Sequence, residues 1–149
     1  QYAFLKLILY IALPQYLKAI EKTRMTEGIA IAKAVGQAQQ RYYLLTGQYT
    51  NDINDLDISL SGTMRHFNIH IGPSNEVVRA NRGVLLERLP LRYTIVYCMK
   101  NDSIWCGASS SGYGKRGPES VALCASLGGI KGNPADLGCA TERSENYKL

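Results

Sequence analysis

Residues 1–47, QYAFLKLILYIALPQYLKAIEKTRMTEGIAIAKAVGQAQQRYYLLTG, decide the fold. Residues 1–13 are apolar apart from Lys6, Pro14 follows, and no further proline interrupts the run to Gly47. From Ile31 the apolar positions fall at Ile31, Val35, Ala38, Tyr42 and Leu45. Steps of four and three draw one stripe down a helix, as expected of a helix packed along its length, and these five residues are the expected contacts with the rest of the chain. Gly47 suits the left-handed residue that ends such a helix. A helix of this length measures about 65–70 Å at 1.5 Å per residue, against about 30 Å across a compact domain. One end therefore projects, and it is the apolar end.

Working outward, the chain of 149 residues suffices for one ordinary domain with a core. Hydrophobic content of 46% with 19% charged residues excludes wholesale disorder. The net charge of +5 is unevenly spread. Residues 1–45 hold six basic residues against Glu21 and Glu27, and the remainder holds eleven basic against ten acidic. A nearly neutral remainder argues against a dedicated nucleic-acid-binding domain. The expected division is a protruding apolar helix over 1–25 and a head over 26–149. The head comprises the amphipathic helix half 26–46, a connector 47–62, a sheet 63–108 and a carboxy-terminal loop region 109–149.

The connector (QYTNDINDLDI, 48–58) is rich in residues that cap helices and form Asx turns. Asp52, Asn54, Asp55 and Asp57 superficially resemble a calcium loop, but the turn glycine is missing and Thr63 stands where the closing glutamate belongs. Alternation over Thr63–Ile71 indicates a strand, with His66 and His70 on one exposed face and no third ligand beside them. Val84–Leu89 follows a turn at Asn81-Arg82-Gly83, and Leu91–Met99 (LRYTIVYCM) is the strongest strand signal. Asn101-Asp102 turns the chain into Ser103–Ala108, making a hairpin. A flexible serine- and glycine-rich loop (109–117) lacks the spacing of a phosphate-binding loop. Pro118 then opens a short helix, PESVALCASL, and the tail is loop with a last edge strand at Asn146–Leu149. Asn101-Asp102-Ser103 fits a glycosylation sequon, and the serine run offers O-linked acceptors.

Cys98, Cys106, Cys124 and Cys139 form neither the CxxC pairs of a zinc site nor a haem motif. Their even number in a turn-rich segment indicates two disulfides and an oxidising compartment. A two-residue turn at Asn101-Asp102 sets Cys98 opposite Trp105 and points Cys98 and Cys106 to opposite faces. That favours Cys106–Cys124 and Cys98–Cys139, whereas a three-residue turn would set Cys98 directly opposite Cys106. Three connectivities are possible. No nucleophile–base pairing is legible, so no catalytic residue, metal site or cofactor is expected, and the chain does not read as an enzyme.

The run Ile11-Ala12-Leu13-Pro14-Gln15-Tyr16, followed by LKAIEKTR, resembles the helix of bacterial type IV pilins and type II secretion pseudopilins. GQYTNDINDLDI is similar to the opening of the pilin αβ loop. The resemblance implies an α+β fold: the long helix packed on an antiparallel sheet of about four strands, with a disulfide-stapled carboxy-terminal loop region. It implies a major pilin of an extracellular filament, with a secretion pseudopilin or minor pilin as the alternative and a single-pass membrane-anchored binding domain as the next. Phe4, Leu5, Leu7, Ile8, Leu9, Tyr10, Ile11, Leu13, Pro14 and Tyr16 would form the filament core, Pro14 kinking or loosening the helix. Implied partners are copies of the chain, the inner membrane before assembly and the pilus assembly machinery. Surface, nucleic-acid or glycan contacts, none of them specific, would be made by the head. Only 13 residues precede Pro14, where a span needs ~20. The family's early glutamate is not among them, and the resemblance implies that a basic leader precedes Gln1.

Overall fold

Alanine, leucine, glutamine, lysine and glutamate, all good helix formers, make up just over half of residues 15–46. In the computed structural model, which describes residues 1–60, 65–72, 83–89, 91–109, 116–133 and 145–149, they lie in one helix, α1 (Tyr2–Thr46). The helix runs through Pro14 without interruption. Proline lacks one donor, but the helical turns before and after it continue the hydrogen-bond ladder. Gly47 ends it with φ of 76°, and its N–H donates to the carbonyl of Tyr43 at 2.8 Å.

A 3-10 turn (Ile53–Asp55) follows, then β1 (Asn68–His70), β2 (Gly83–Arg88), β3 (Tyr93–Cys98) and β4 (Ser103–Ala108). Helix α2 (Arg116–Ala125) and strands β5 (Ile130–Gly132) and β6 (Glu145–Lys148) complete the described chain. The fold is α+β, with the strands in one antiparallel sheet of order β1-β2-β3-β4-β6-β5. Among the described residues the sheet has six strands, where about four were expected. The carboxy-terminal strand is not an edge, because β5, a three-residue segment without apolar alternation, pairs outside it. The loop between β3 and β4 spans four residues, since Cys98 pairs with Ser103 and Val96 with Trp105. This corrects the two-residue turn. Asp102 takes φ of 55°, tolerable for aspartate, while Asn101 Oδ1 accepts the N–H of Ser103.

The register places Val84, Leu86, Tyr93, Ile95, Tyr97, Ile104 and Cys106 on the face that meets α1 and α2. Leu85, Val96 and Trp105 form a second buried cluster on the opposite face. Cys106 bonds to Cys124, tying β4 to α2 across a separation of 18 residues, a closure worth about 3 kcal/mol in the chain-entropy account. Cys98 is also disulfide-bonded and faces away from Cys106; Cys139, its expected partner, lies outside the described residues.

Met25, Ile31, Ala32, Val35 and Ala38 are buried against the sheet, and Tyr42 is half-buried. Leu45, the last of the expected contacts, is instead 86% exposed beside an exposed Leu44. The chain reverses at Gly47 and returns along another side of the helix, where Tyr49 stacks on Tyr43 with centroids 4.6 Å apart. Nothing in the described chain crosses back over Leu45. The close approach of α1 to the sheet rests on two glycines. A Cβ on Gly28 would stand 2.8 Å from Phe67 Cζ, and one on Gly36 would overlap the ring of Tyr97. Gly36→Ala should therefore lower stability by roughly 1–3 kcal/mol, as overpacking does, despite alanine's better helix propensity. Urea unfolding followed by tryptophan fluorescence checks this; equal or greater stability would show that α1 can lift from Tyr97 without cost.

Candidate assembly and membrane-contact surface

The first nineteen residues of the chain are exposed without exception. Tyr2, Phe4, Leu5, Leu7, Ile8, Leu9, Tyr10, Ile11, Leu13, Tyr16 and Leu17 present their side chains around the whole circumference, from 45% exposed at Ile8 to 83% at Tyr2. A helix apolar all round is stable only when something apolar surrounds it. Every expected filament-core side chain thus lies in this free segment, whereas Ile31, Val35 and Ala38 lie in the packed one. The helix has the length and composition to cross a membrane, and none of its apolar stretch is buried in the protein. Eighteen residues of helix measure about 27 Å, close to the ~30 Å hydrocarbon core. Fully burying one such leucine or isoleucine is worth about 1.5–3 kcal/mol.

The exposed segment gives way to the packed one at Glu21, the first buried residue of α1. Its carboxylate accepts from Arg88 Nε at 2.8 Å and Nη2 at 3.2 Å, from Tyr93 Oη at 2.7 Å, and from Arg24 Nη1 at 3.2 Å. Arg88 in turn donates to the carbonyl of His66 at 3.1 Å, joining α1, β2, β3 and the segment before β1. Burial pushes the Glu21 carboxyl up, but hydrogen bonds from Arg88 and Tyr93 and the charge of Arg88 outweigh it, leaving the group below its ordinary 4.5. Burial, reinforced by the Glu21 carboxylate, pushes the Tyr93 phenol up. On the far end of the sheet Tyr97 is pushed up to about 12, first by burial and then by its hydrogen bond to Asp102. Glu21 was legible in hindsight: the buried stripe traced back from Ile31 through Gly28 and Met25 arrives at it.

The connector's acidic residues are structural. Asp52 Oδ1 accepts the N–H of Asn54 at 2.8 Å, Asp55 accepts the hydroxyl of Thr50, and Asp57 holds Arg41 bidentately at 2.7 and 2.6 Å. Gln39, buried in α1, clamps the connector by donating to the carbonyl of Thr50 at 2.7 Å and accepting its N–H at 3.1 Å. His66 and His70 do not share a strand, because β1 begins after His66; His70 Nε2 lies 3.7 Å from a Glu87 oxygen. Thr63, residues 110–115 of the serine-rich loop and residues 134–144 of the tail lie outside the described residues. A cavity of about 640 Å³ opens where Pro14–Arg24 of α1 faces Leu91 and α2, at the base of the head.

No family model, curated protein or solved structure matches the chain.

Because Glu21 is lowered in the folded state, its contribution to stability is present above about pH 4.5 and is lost as pH falls through the depressed folded value. Glu21→Gln should remove that acid-sensitive component. It should also cost about 3–5 kcal/mol at neutral pH by leaving Arg88 buried without its counter-charge, with Glu21→Gln/Arg88→Met costing less than the sum of its parts. Unfolding free energies between pH 3 and 7 check both; strict additivity would mean that the two residues do not act together.

Proposed function

We propose that the chain is the structural subunit of an extracellular type IV pilin-like filament, held in a membrane by the free half of α1 before assembly. The observation that carries the reading is a single unbroken helix with one half packed on a disulfide-bonded head and the other half apolar on every side. Such a segment has two stable surroundings, hydrocarbon or copies of itself. Repeated head-to-tail contacts that do not close generate a helical fibre. In that fibre, residues 1–19 form the core and the sheet, α2 and the carboxy-terminal segment face outward. The Cys106–Cys124 bond suits such a position, since it resists unfolding and proteolysis outside the cell.

The test is electron microscopy of material sheared from cells without detergent, for the wild type and for Ile8→Asp. Ile8 lies in the exposed segment of α1, before its first buried residue, Glu21, so the substitution leaves the head folded. Residues 1–19 already carry Lys6, and a further buried charge costs several kcal/mol per copy, so fibres should be abundant for the wild type and missing for the variant. Protein recovered only with membranes in both cases would replace the filament reading with an anchored domain.

A further inference from the structure

The cavity at the base of the head sits where a membrane surface would fall if the free half of α1 lies in a bilayer. Leu13 and Leu17 line its lower wall, Lys18 and Arg24 stand one to three turns above Leu13, and Leu91 and Glu119 close the opposite side. Its lining therefore combines leucines from the apolar half of α1, two cations of α1 and a carboxylate of α2. Glu21 also lines it, but its oxygens are engaged by Arg88, Tyr93 and Arg24. Arg24 gives Nη1 to that contact, and a guanidinium has five N–H donors. Glu119, in the first turn of α2, is exposed. The volume, about 640 Å³, falls within the range of small-molecule sites.

We infer that this cavity binds the headgroup of a phospholipid bearing a primary ammonium, as in phosphatidylethanolamine. Lys18 and Arg24 take the phosphate through charge-assisted hydrogen bonds, Glu119 takes the ammonium, and Leu13, Leu17 and Leu91 receive the glycerol and upper acyl carbons. A phosphatidylglycerol offers the phosphate and neutral hydroxyls but no cation for Glu119. A phosphatidylcholine offers a cation without N–H donors. The cavity's two signs of charge thus select the zwitterion with a donor. The inference rests on the membrane stage of the proposed function and adds a lipid partner to it.

The test uses the full chain in nanodiscs of equal parts phosphatidylethanolamine, phosphatidylglycerol and phosphatidylcholine with matched acyl chains, read by native mass spectrometry of retained lipid. Phosphatidylethanolamine should be retained about fivefold over phosphatidylglycerol, the factor expected of one charged contact at the membrane surface, and also in preference to phosphatidylcholine, whose cation cannot donate a hydrogen bond. Glu119→Gln should erase the preference over phosphatidylglycerol. Lys18→Gln should reduce retention of all three, and Ala122→Trp, which fills the cavity, should abolish it. Both Lys18 and Glu119 are exposed, so these variants keep the fold. Equal retention of the three lipids, or a preference unchanged by Glu119→Gln, would overturn the inference while leaving membrane insertion intact. A chain that does not enter the nanodisc at all would overturn the membrane reading and this inference with it.

Discussion

Two aromatic rings seated on helix glycines set the distance between α1 and the sheet, and the remaining contacts follow from that distance. Phe67 lies against Gly28 and Tyr97 against Gly36, two turns further along. Glycine costs a helix interior about 1 kcal/mol relative to alanine, and here the missing Cβ is what lets the ring and the helix backbone meet. With the axis held that close, Met25, Ala32 and Val35 reach the sheet, and Glu21 comes within hydrogen-bonding range of Arg88 and Tyr93. Phe67 and Tyr93 meet edge-on, centroids 6.1 Å apart, linking the Gly28 contact to the Glu21 cluster.

The buried carboxylate cluster marks a change of surroundings along a single helix. Above it, α1 has small and apolar residues facing the sheet and polar residues facing out. Below it, leucine, isoleucine and tyrosine cover every side. A buried ion pair is a weak source of net stability but a strong source of specificity, since any other docking angle strands a charge. Glu21 thereby fixes where the head stops along the helix. That boundary gives the apolar half its free length, which is the property that a membrane stage and a filament stage both require.

Much of this is legible in the sequence. The four-three spacing from Ile31 identified the packed face, Gly47 the helix end, and the dense β-branched and aromatic run at 91–99 the central strand β3, buried on both faces. The pairing of Cys106 with Cys124 emerged from a wrong loop length. The register slid by two residues, and a shift of two returns every side chain to its own face. Other features carried no local signal. β5 has no apolar alternation, and pairing with β6 alone makes it a strand. The fate of Leu45 depends on which side the returning connector takes, a choice made by Gln39 gripping Thr50 across eleven residues. The cavity below the head exists only because α2, held by Cys124, stands opposite Lys18 and Arg24, which lie about a hundred residues away in sequence.

The central claim is that the two halves of α1 occupy different surroundings in the working protein. Helical reconstruction of detergent-free fibres by electron cryomicroscopy measures this directly, because it gives the radius of each residue from the fibre axis. The account predicts residues 1–19 packed around the axis against the same residues of neighbouring copies, with the Cys106–Cys124 bond at the outer radius. Fibres whose axis is lined by the sheet, with residues 1–19 outermost and in solvent, would contradict it.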